Sequence, residues 1–173
     1  MTLVVVCGVP GVGKTAVARY VAGQLDADRL RTDVVRKELV DEPAYTEAEG
    51  RMVYDELLDR AGDALARGET VVLDGTFHAR RYRADARAVA ASAEADRVFV
   101  KVECDPAVAR ERIREREGDA SDADVAVHAT VREQFEPLAV DHVVVDNSGA
   151  LDATRQQVDE RVLREVRGAQ DAG

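Results

Sequence analysis

The chain of 173 residues has the size of one domain, and we predict that residues 1–173 form a single one. Asp and Glu number 34 against 24 Lys and Arg, for a net charge of −10, which disfavours nucleic acid as a partner but leaves it open. No stretch approaches the roughly 20 apolar residues of a membrane span, so we expect a cytoplasmic protein without membrane contact. We expect it to be either a monomer or a homodimer.

Most of the basic residues are arginines. The only lysines are Lys14, Lys37 and Lys101. An acidic, arginine-rich chain is typical of a halophilic protein from a GC-rich genome, and we predict a haloarchaeal origin. In molar salt the Debye length falls to about 3 Å, so the net charge would then say little about the substrate.

Short apolar, β-branched runs alternate with segments of helical periodicity. The predicted strands cover residues 2–7, 29–32, 70–74, 97–103 and 141–145. The predicted helices cover residues 14–25, 33–40, 47–67, 79–93, 106–117, 125–135 and 150–167. Such alternation predicts a parallel sheet with helices on both faces, a three-layer α/β/α sandwich.

The first strand runs into Gly-x4-Gly-Lys-Thr, and a helix follows it. Glycines let backbone N–H groups approach a phosphate, and the helix adds its positive end. Lys14 is placed for the β/γ-phosphates and the Thr15 hydroxyl for Mg²⁺. The predicted ATP contacts of this phosphate loop are Gly8, Pro10, Gly11, Val12, Gly13, Lys14, Thr15 and Ala16.

Two acidic residues follow predicted strands and should lie at the edge of the sheet where ligands bind. Asp74 ends the third strand and is a candidate for Mg²⁺ or substrate, or else a turn residue before Gly75 and Thr76. Asp33 follows the second strand and is a candidate for the general base that accepts a proton from an attacking hydroxyl. Arg36, one helical turn later, is a candidate for holding the acceptor.

Arginines at positions 110, 112, 114 and 116 alternate between the two faces of one predicted helix. One interpretation is a lid over about residues 110–130, with Arg112 and Arg116 closing on the triphosphate. The other is a solvated surface in which these arginines pair with interleaved glutamates.

Asn147 follows the last strand and is a candidate for contacting the base, although residues 146–149 also fit an ordinary turn. The helix with Arg80, Arg81, Arg83 and Arg87 is the only other basic segment, and we expect it to be a solvated face. Cys7 and Cys104 are predicted to be free thiols.

These motifs resemble those of small P-loop kinases of the AAA_33 type, which are related to gluconate, shikimate and polynucleotide 5′-hydroxyl kinases. The matching stretches are residues 8–15, 32–39, 71–77, 112–116, 119–123 and 136–138. The resemblance implies a five-stranded parallel sheet in the order 2-3-1-4-5, Asp33 as base, Arg36 near the acceptor and Arg112 and Arg116 in a short helical lid. Gly75 departs from the pattern, in which a slightly larger residue would follow the acid.

The function predicted from these residues is transfer of the γ-phosphoryl of ATP, with Mg²⁺, to a hydroxyl of a small molecule or nucleoside. The predicted substrate contacts are Asp33, Arg36, Asp74 and Thr76, and the predicted metal contacts are Thr15 and Asp74. Two alternatives stay open: a nucleic-acid 5′-hydroxyl kinase, and a switch that hydrolyses ATP slowly. A guanine-reading switch is not favoured, because residues 145–148 lack an Asn-Lys-x-Asp signature.

Overall fold

The computed structural model describes residues 1–117 and 129–171, and at positions 116, 117, 170 and 171 it describes the backbone only. Besides a helical segment at positions 129–133, the described part contains five strands and seven α-helices, and a π-helical turn, Val158–Val162, joins the last two helices. The strands are β1 (Thr2–Cys7), β2 (Asp28–Arg31), β3 (Val71–Asp74), β4 (Asp96–Glu103) and β5 (Val143–Asp146). The helices are α1 (Lys14–Leu25), α2 (Thr32–Leu39), α3 (Glu47–Ala66), α4 (Arg80–Ser92), α5 (Pro106–Glu117), α6 (Leu151–Gln157) and α7 (Leu163–Asp171).

The five strands form one parallel sheet in the order β2-β3-β1-β4-β5, which confirms the predicted α/β fold and strand order. The register places Asp74 beside Val6 on one side and beside Arg31 on the other. Because parallel strands end at the same edge, the loops that follow β1, β2 and β3 share that edge.

Alternate residues of the strands fill two separate cores, as the two-residue period of a strand requires. Leu3, Val5 and Cys7 of β1 face a core that includes α3 and α4. Val4 and Val6 face a second core that contains the buried side of α1 and Val162. Both faces of the sheet are therefore covered, as predicted.

Cys7 and Cys104 are free and belong to opposite cores. Burial raises the pKa of the Cys7 thiol to about 12, which makes it a poor nucleophile. The two sulfurs thus remain as the predicted free thiols in this fold.

Several element boundaries differ from the sequence predictions. Thr32 belongs to α2 and not to β2, and its hydroxyl donates to the carbonyl of Asp74 at 3.5 Å. The last strand ends at Asp146, one residue later than predicted, and the final helical segment reaches Asp171. Asp105 caps α5, since its carboxylate accepts the Ala107 N–H at 2.7 Å, and this helix has the predicted bounds.

None of the helices in the described ranges is both long and apolar enough to cross a bilayer. Much of the predicted lid, residues 118–128, lies outside the described residues, although positions 129–133 are helical.

Candidate active site

The phosphate loop joins β1 to α1 in a conformation that depends on its glycines. Gly11 and Gly13 have φ angles of +85° and +89°, a region that residues with a Cβ rarely adopt. A Cβ at Gly11 would lie 2.7 Å from the carbonyl oxygen of Ala109, because α5 packs on the loop. A Cβ at Gly13 would collide with the side-chain amide of Asn147. The loop is therefore held between α5 and the segment after β5.

Lys14 and Thr15 open helix α1, where the positive end of the helix is directed toward the loop. The Lys14 ammonium donates to the Val9 carbonyl at 3.0 Å, so the side chain lies along the loop. The Thr15 side chain lies near enough to the carboxylate of Asp74 to lower its pKa. Of the other predicted loop contacts, Val12 is buried, whereas Pro10 and Ala16 are half-buried.

Asp74 ends β3 and is 5% exposed, although it carries a carboxylate. Burial raises its pKa, while the Thr15 hydroxyl, Lys14, Arg29 and Arg31 act in the opposite direction. Its Oδ2 atom is buried, has no hydrogen-bond partner among the described residues, and lies 3.7 Å from Arg29 Nη1 and 3.9 Å from Arg31 Nε. This oxygen therefore keeps hydrogen-bonding capacity that the described part of the chain does not use.

Asp33 lies at the start of α2 and is 57% exposed. Its Oδ2 accepts from Arg31 Nη2 at 2.6 Å, and its Oδ1 accepts the Val34 N–H at 3.0 Å. Arg31 thus faces both Asp33 and Asp74, the two carboxylates that the sequence predicts at this edge.

Arg36, the predicted acceptor contact, forms an ion pair with the buried Glu49 of α3. The other oxygen of Glu49 accepts the N–H groups of Ala44 and Tyr45 at 2.8 and 2.9 Å. Glu49 therefore fixes Arg36 and the end of the loop between α2 and α3.

Arg112 and Asn147 line a small cavity of about 190 Å³ beside the phosphate loop. The other lining residues are Gly13, Ala16, Gly149 and Leu151. Arg112 Nη1 is buried there and has no hydrogen-bond partner within residues 1–117 and 129–171. Asn147 uses its amide within the protein, since Nδ2 donates to the Val12 carbonyl and Oδ1 accepts from Thr154. Arg110 and Arg114 are exposed, and the side chain of Arg116 lies outside the described residues.

The loop after β3 contacts the phosphate loop directly. Gly8 N donates to the Thr76 carbonyl at 3.3 Å, while the Thr76 side chain is half-buried at the same edge. His78, two residues after Thr76, is half-buried. This burial lowers the pKa of His78, and the positive charges of Arg81 and Arg83 lower it further.

One expectation about helix α4 is wrong, because Arg83 is not on a solvated face. It is 1% exposed and donates to the carbonyls of Phe77, His78, Glu136 and Pro137. Its helical neighbour Arg81 pairs with Glu47, while Arg80 and Arg87 are exposed. Helix α4 therefore offers less free positive charge than its sequence indicates.

Two further site residues, Arg29 and Arg31, were not among those predicted from the sequence. The signal was present, because residues two apart in a strand share one face and β2 leads to the same edge as Asp74. Besides its contact with Asp74, Arg29 donates to the Thr15 carbonyl at 3.1 Å. Both arginines therefore belong to the candidate site.

A strand, a glycine-rich phosphate loop and a helix, set in a five-stranded parallel sheet of this order, define the P-loop NTPase fold. Within that fold the chain belongs to the AAA_33 family, an AAA domain family that matches residues 3–138. An uncharacterized protein of Mycobacterium tuberculosis is 36% identical over an alignment of 141 residues that covers 75% of this chain. The chain spans only 28% of the length of that relative.

Solved structures with the same fold include a gluconokinase from Sinorhizobium meliloti 1021, at a TM-score of 0.74 and 22% identity, covering 99% of this chain and 97% of that one. The Mycobacterium tuberculosis APS kinase CysC, in complex with AMPPNP and APS, matches at a TM-score of 0.72 and 20% identity, covering 94% and 96%. A sugar kinase from Janibacter sp. HTCC2649 matches at 0.70 and 18%, covering 97% of both. At these sequence identities, the similarity to the three solved structures shows the fold alone.

Proposed function

We propose that this chain is a kinase that transfers the γ-phosphoryl of ATP to a hydroxyl of a small molecule or nucleoside. The buried carboxylate of Asp74 carries the proposal, because Asp74 pairs with Val6 of β1 and so ends its strand beside the phosphate loop. Asp33 follows the neighbouring strand β2 at the same edge. Donor-binding and acceptor-activating groups would thus lie side by side.

The triphosphate would lie in the loop of residues 8–15, with Lys14 against the β- and γ-phosphates. The base would enter the cavity beside Gly13, where the unpartnered Arg112 nitrogen is available to it or to a phosphate. Arg116 and the lid over residues 110–130 stay predictions, with charge stabilisation of the transferring group as their role. The fold similarity to enzymes that are named as kinases supports this assignment.

The residues present fit a Mg²⁺ ion, because the Thr15 hydroxyl and the orphaned Asp74 Oδ2 are oxygen ligands of the type that Mg²⁺ prefers. No group of three or more His, Cys, Asp or Glu side chains converges in residues 1–117 and 129–171, so the phosphates of the nucleotide would supply further ligands for the ion. Bound there, Mg²⁺ would neutralise charge on the phosphates.

Asp33 would take the proton of the acceptor hydroxyl, since its carboxylate is accessible and oriented by Arg31 and the Val34 N–H. Arg36 and Thr76 would contact the acceptor. Because Glu49 holds Arg36 in place, little side-chain entropy would be lost on acceptor binding.

The test is ADP release from MgATP with a panel of acceptors: sugar acids, nucleosides, hydroxylated antibiotics and a 5′-hydroxyl oligonucleotide, each at low and at molar KCl. We expect one class of small acceptor to stimulate ADP release and to become phosphorylated. Asp33→Asn should abolish that transfer while the MgATP Kd changes less than about threefold. Asp63→Asn, an exposed carboxylate of α3, is the matched control.

Three results would contradict parts of this proposal. Transfer that survives Asp33→Asn would remove Asp33 as the base. Stimulation by the oligonucleotide alone would favour the nucleic-acid kinase. Slow ATP hydrolysis that no acceptor stimulates would favour the switch. Activity that holds or rises in molar KCl would support the predicted halophilic character.

A further inference from the structure

Asn147 connects the end of β5 to the phosphate loop through a chain of buried hydrogen bonds. The residue is 5% exposed, and its amide Nδ2 donates to the Val12 carbonyl at 2.8 Å. Its Oδ1 accepts from the Thr154 hydroxyl, also at 2.8 Å, and its backbone N–H donates to the Glu103 carbonyl. Both ends of the side-chain amide are therefore engaged inside the protein.

The contact with Val12 determines the direction of the next N–H group in the loop. A peptide unit is planar and trans, so the carbonyl of Val12 and the N–H of Gly13 point in opposite directions. Because Asn147 holds the carbonyl toward β5, the Gly13 N–H is turned away from β5. In a phosphate loop, N–H groups turned in this way form the anion-binding nest.

The Val12 carbonyl determines which end of the Asn147 amide faces the loop, because a carbonyl only accepts and therefore requires the NH₂ group. Thr154 supports this orientation, since its hydroxyl donates to Oδ1 at the other end of the amide. Reversal of the amide would set one oxygen against another at Val12. The buried Thr154 thus acts on the loop through Asn147 without touching it.

We propose that Asn147, held in place by Thr154, is a positioning residue that holds the Val12–Gly13 peptide for phosphate binding and is not a reader of the base. The inference rests on the proposed function, because it takes nucleotide binding at this loop as given. It also gives a second reason, besides the φ angle, why position 13 is a glycine. A Cβ at this position would occupy the place of the Asn147 amide.

The experiment compares two probes of the same loop, MgATP and magnesium tripolyphosphate, of which only the first has a base. Isothermal titration calorimetry would give the Kd of each for the wild type, Asn147→Ala and Thr154→Val. We expect Asn147→Ala to weaken both probes by about tenfold, the typical effect of one buried hydrogen bond. Thr154→Val should weaken both by about three- to tenfold, whereas Thr154→Ser, which keeps the hydroxyl, should stay within twofold.

A loss confined to MgATP would overturn the inference, because it would mark Asn147 as a base contact. Unchanged Kd values in both variants would overturn it as well, even if the melting temperature fell, since that would show a purely structural role. If Asn147→Ala does not fold, as judged by far-UV circular dichroism, Thr154→Val decides alone. A wild type that binds neither probe would instead overturn the proposed function.

Discussion

Arg31 and Asp33 form an ion pair with 2.6 Å between Nη2 and Oδ2, and the same guanidinium lies 3.9 Å from Asp74. The pair is partly exposed, so its electrostatic contribution to stability is small, about 0–1 kcal/mol. Its importance would lie in orientation, because the base of the proposed reaction must point toward the acceptor hydroxyl.

We expect Arg31→Met to lower acceptor-dependent kcat by about tenfold, because the Asp33 carboxylate would lose the partner that orients it. The Kd of MgATP should change little, since Arg29 still contacts Asp74 and the Thr15 carbonyl. Arg29→Met is the matched variant, and it should mainly weaken MgATP. Steady-state kinetics and calorimetry of both variants check this contrast. Equal effects of the two substitutions on both quantities would refute the division of roles.

Asp74→Asn should have opposite effects on the two properties: it should raise thermal stability at pH 7.5 and weaken MgATP binding. Burial raises the pKa of Asp74, so the native protein binds this proton more tightly than the unfolded chain. The contribution of Asp74 to stability therefore falls as pH rises above the usual Asp range, near about 4. At pH 7.5 the asparagine variant should melt at a higher temperature than the wild type, and the gap should shrink toward pH 4.

The same substitution should weaken MgATP at least about tenfold, because an amide is a poorer ligand for Mg²⁺ than a carboxylate. Thermal unfolding without nucleotide, at pH 4.5 and 7.5, and calorimetry with MgATP measure the two effects. Asp63→Asn, on an exposed face of α3, should show neither. A variant that melts lower at pH 7.5 would mean that Arg29 and Arg31 outweigh the cost of burial.

Lys14→Ala should reduce turnover by about 10³-fold, which is typical for loss of a cation at the transferring phosphoryl. The Val9 carbonyl would also lose its donor, although this partly exposed contact matters less. Lys37→Ala, an exposed lysine of α2, should retain wild-type turnover. Phosphorylated product is quantified in both. Turnover in Lys14→Ala within threefold of wild type would rule out the phosphate-loop mechanism.

The local features of the site could be predicted from the sequence because each depends on neighbouring residues. The phosphate loop is a strand, a glycine pattern and a helix in succession, and Asp74 is an acid that ends an apolar strand. The start of α5 is local as well, because the Asp105 carboxylate caps it at the N–H of Ala107, two residues later. The strand order came from the family resemblance and not from these patterns.

The remaining features depend on residues far apart in the chain. The amide of Asn147 meets Val12 across 135 positions, and no local pattern specifies that contact. Arg31 reaches Asp74 because β2 pairs with β3 in one particular register. An arginine of an apparently polar helix, Arg83, is buried because a distant segment supplies carbonyl acceptors for it.

Arg83 joins two segments that are separated in the sequence. Its Nη1 donates to the carbonyls of Phe77 and His78 at 2.6 and 3.1 Å, and its Nη2 donates to those of Glu136 and Pro137 at 3.1 and 2.9 Å. Phe77 has a φ of +47°, a costly conformation for a bulky residue, and its N–H donates to the Tyr54 hydroxyl at 2.8 Å. In the strained turn after Asp74, the N–H of Phe77 is thus held by Tyr54 and its carbonyl by Arg83.

We expect Arg83→Met to lower the free energy of unfolding by about 2–4 kcal/mol, because buried carbonyls would lose their donors and the turn at Phe77 its restraint. Arg87→Met, at an exposed position of the same helix, is the matched control and should change it by less than about 0.5 kcal/mol. Urea unfolding followed by circular dichroism measures both. Since Thr76 precedes the strained residue and accepts from Gly8, Arg83→Met should also weaken MgATP, whereas Arg87→Met should not. A loss below about 1 kcal/mol with unchanged MgATP binding would mean that Tyr54 alone suffices to hold the turn.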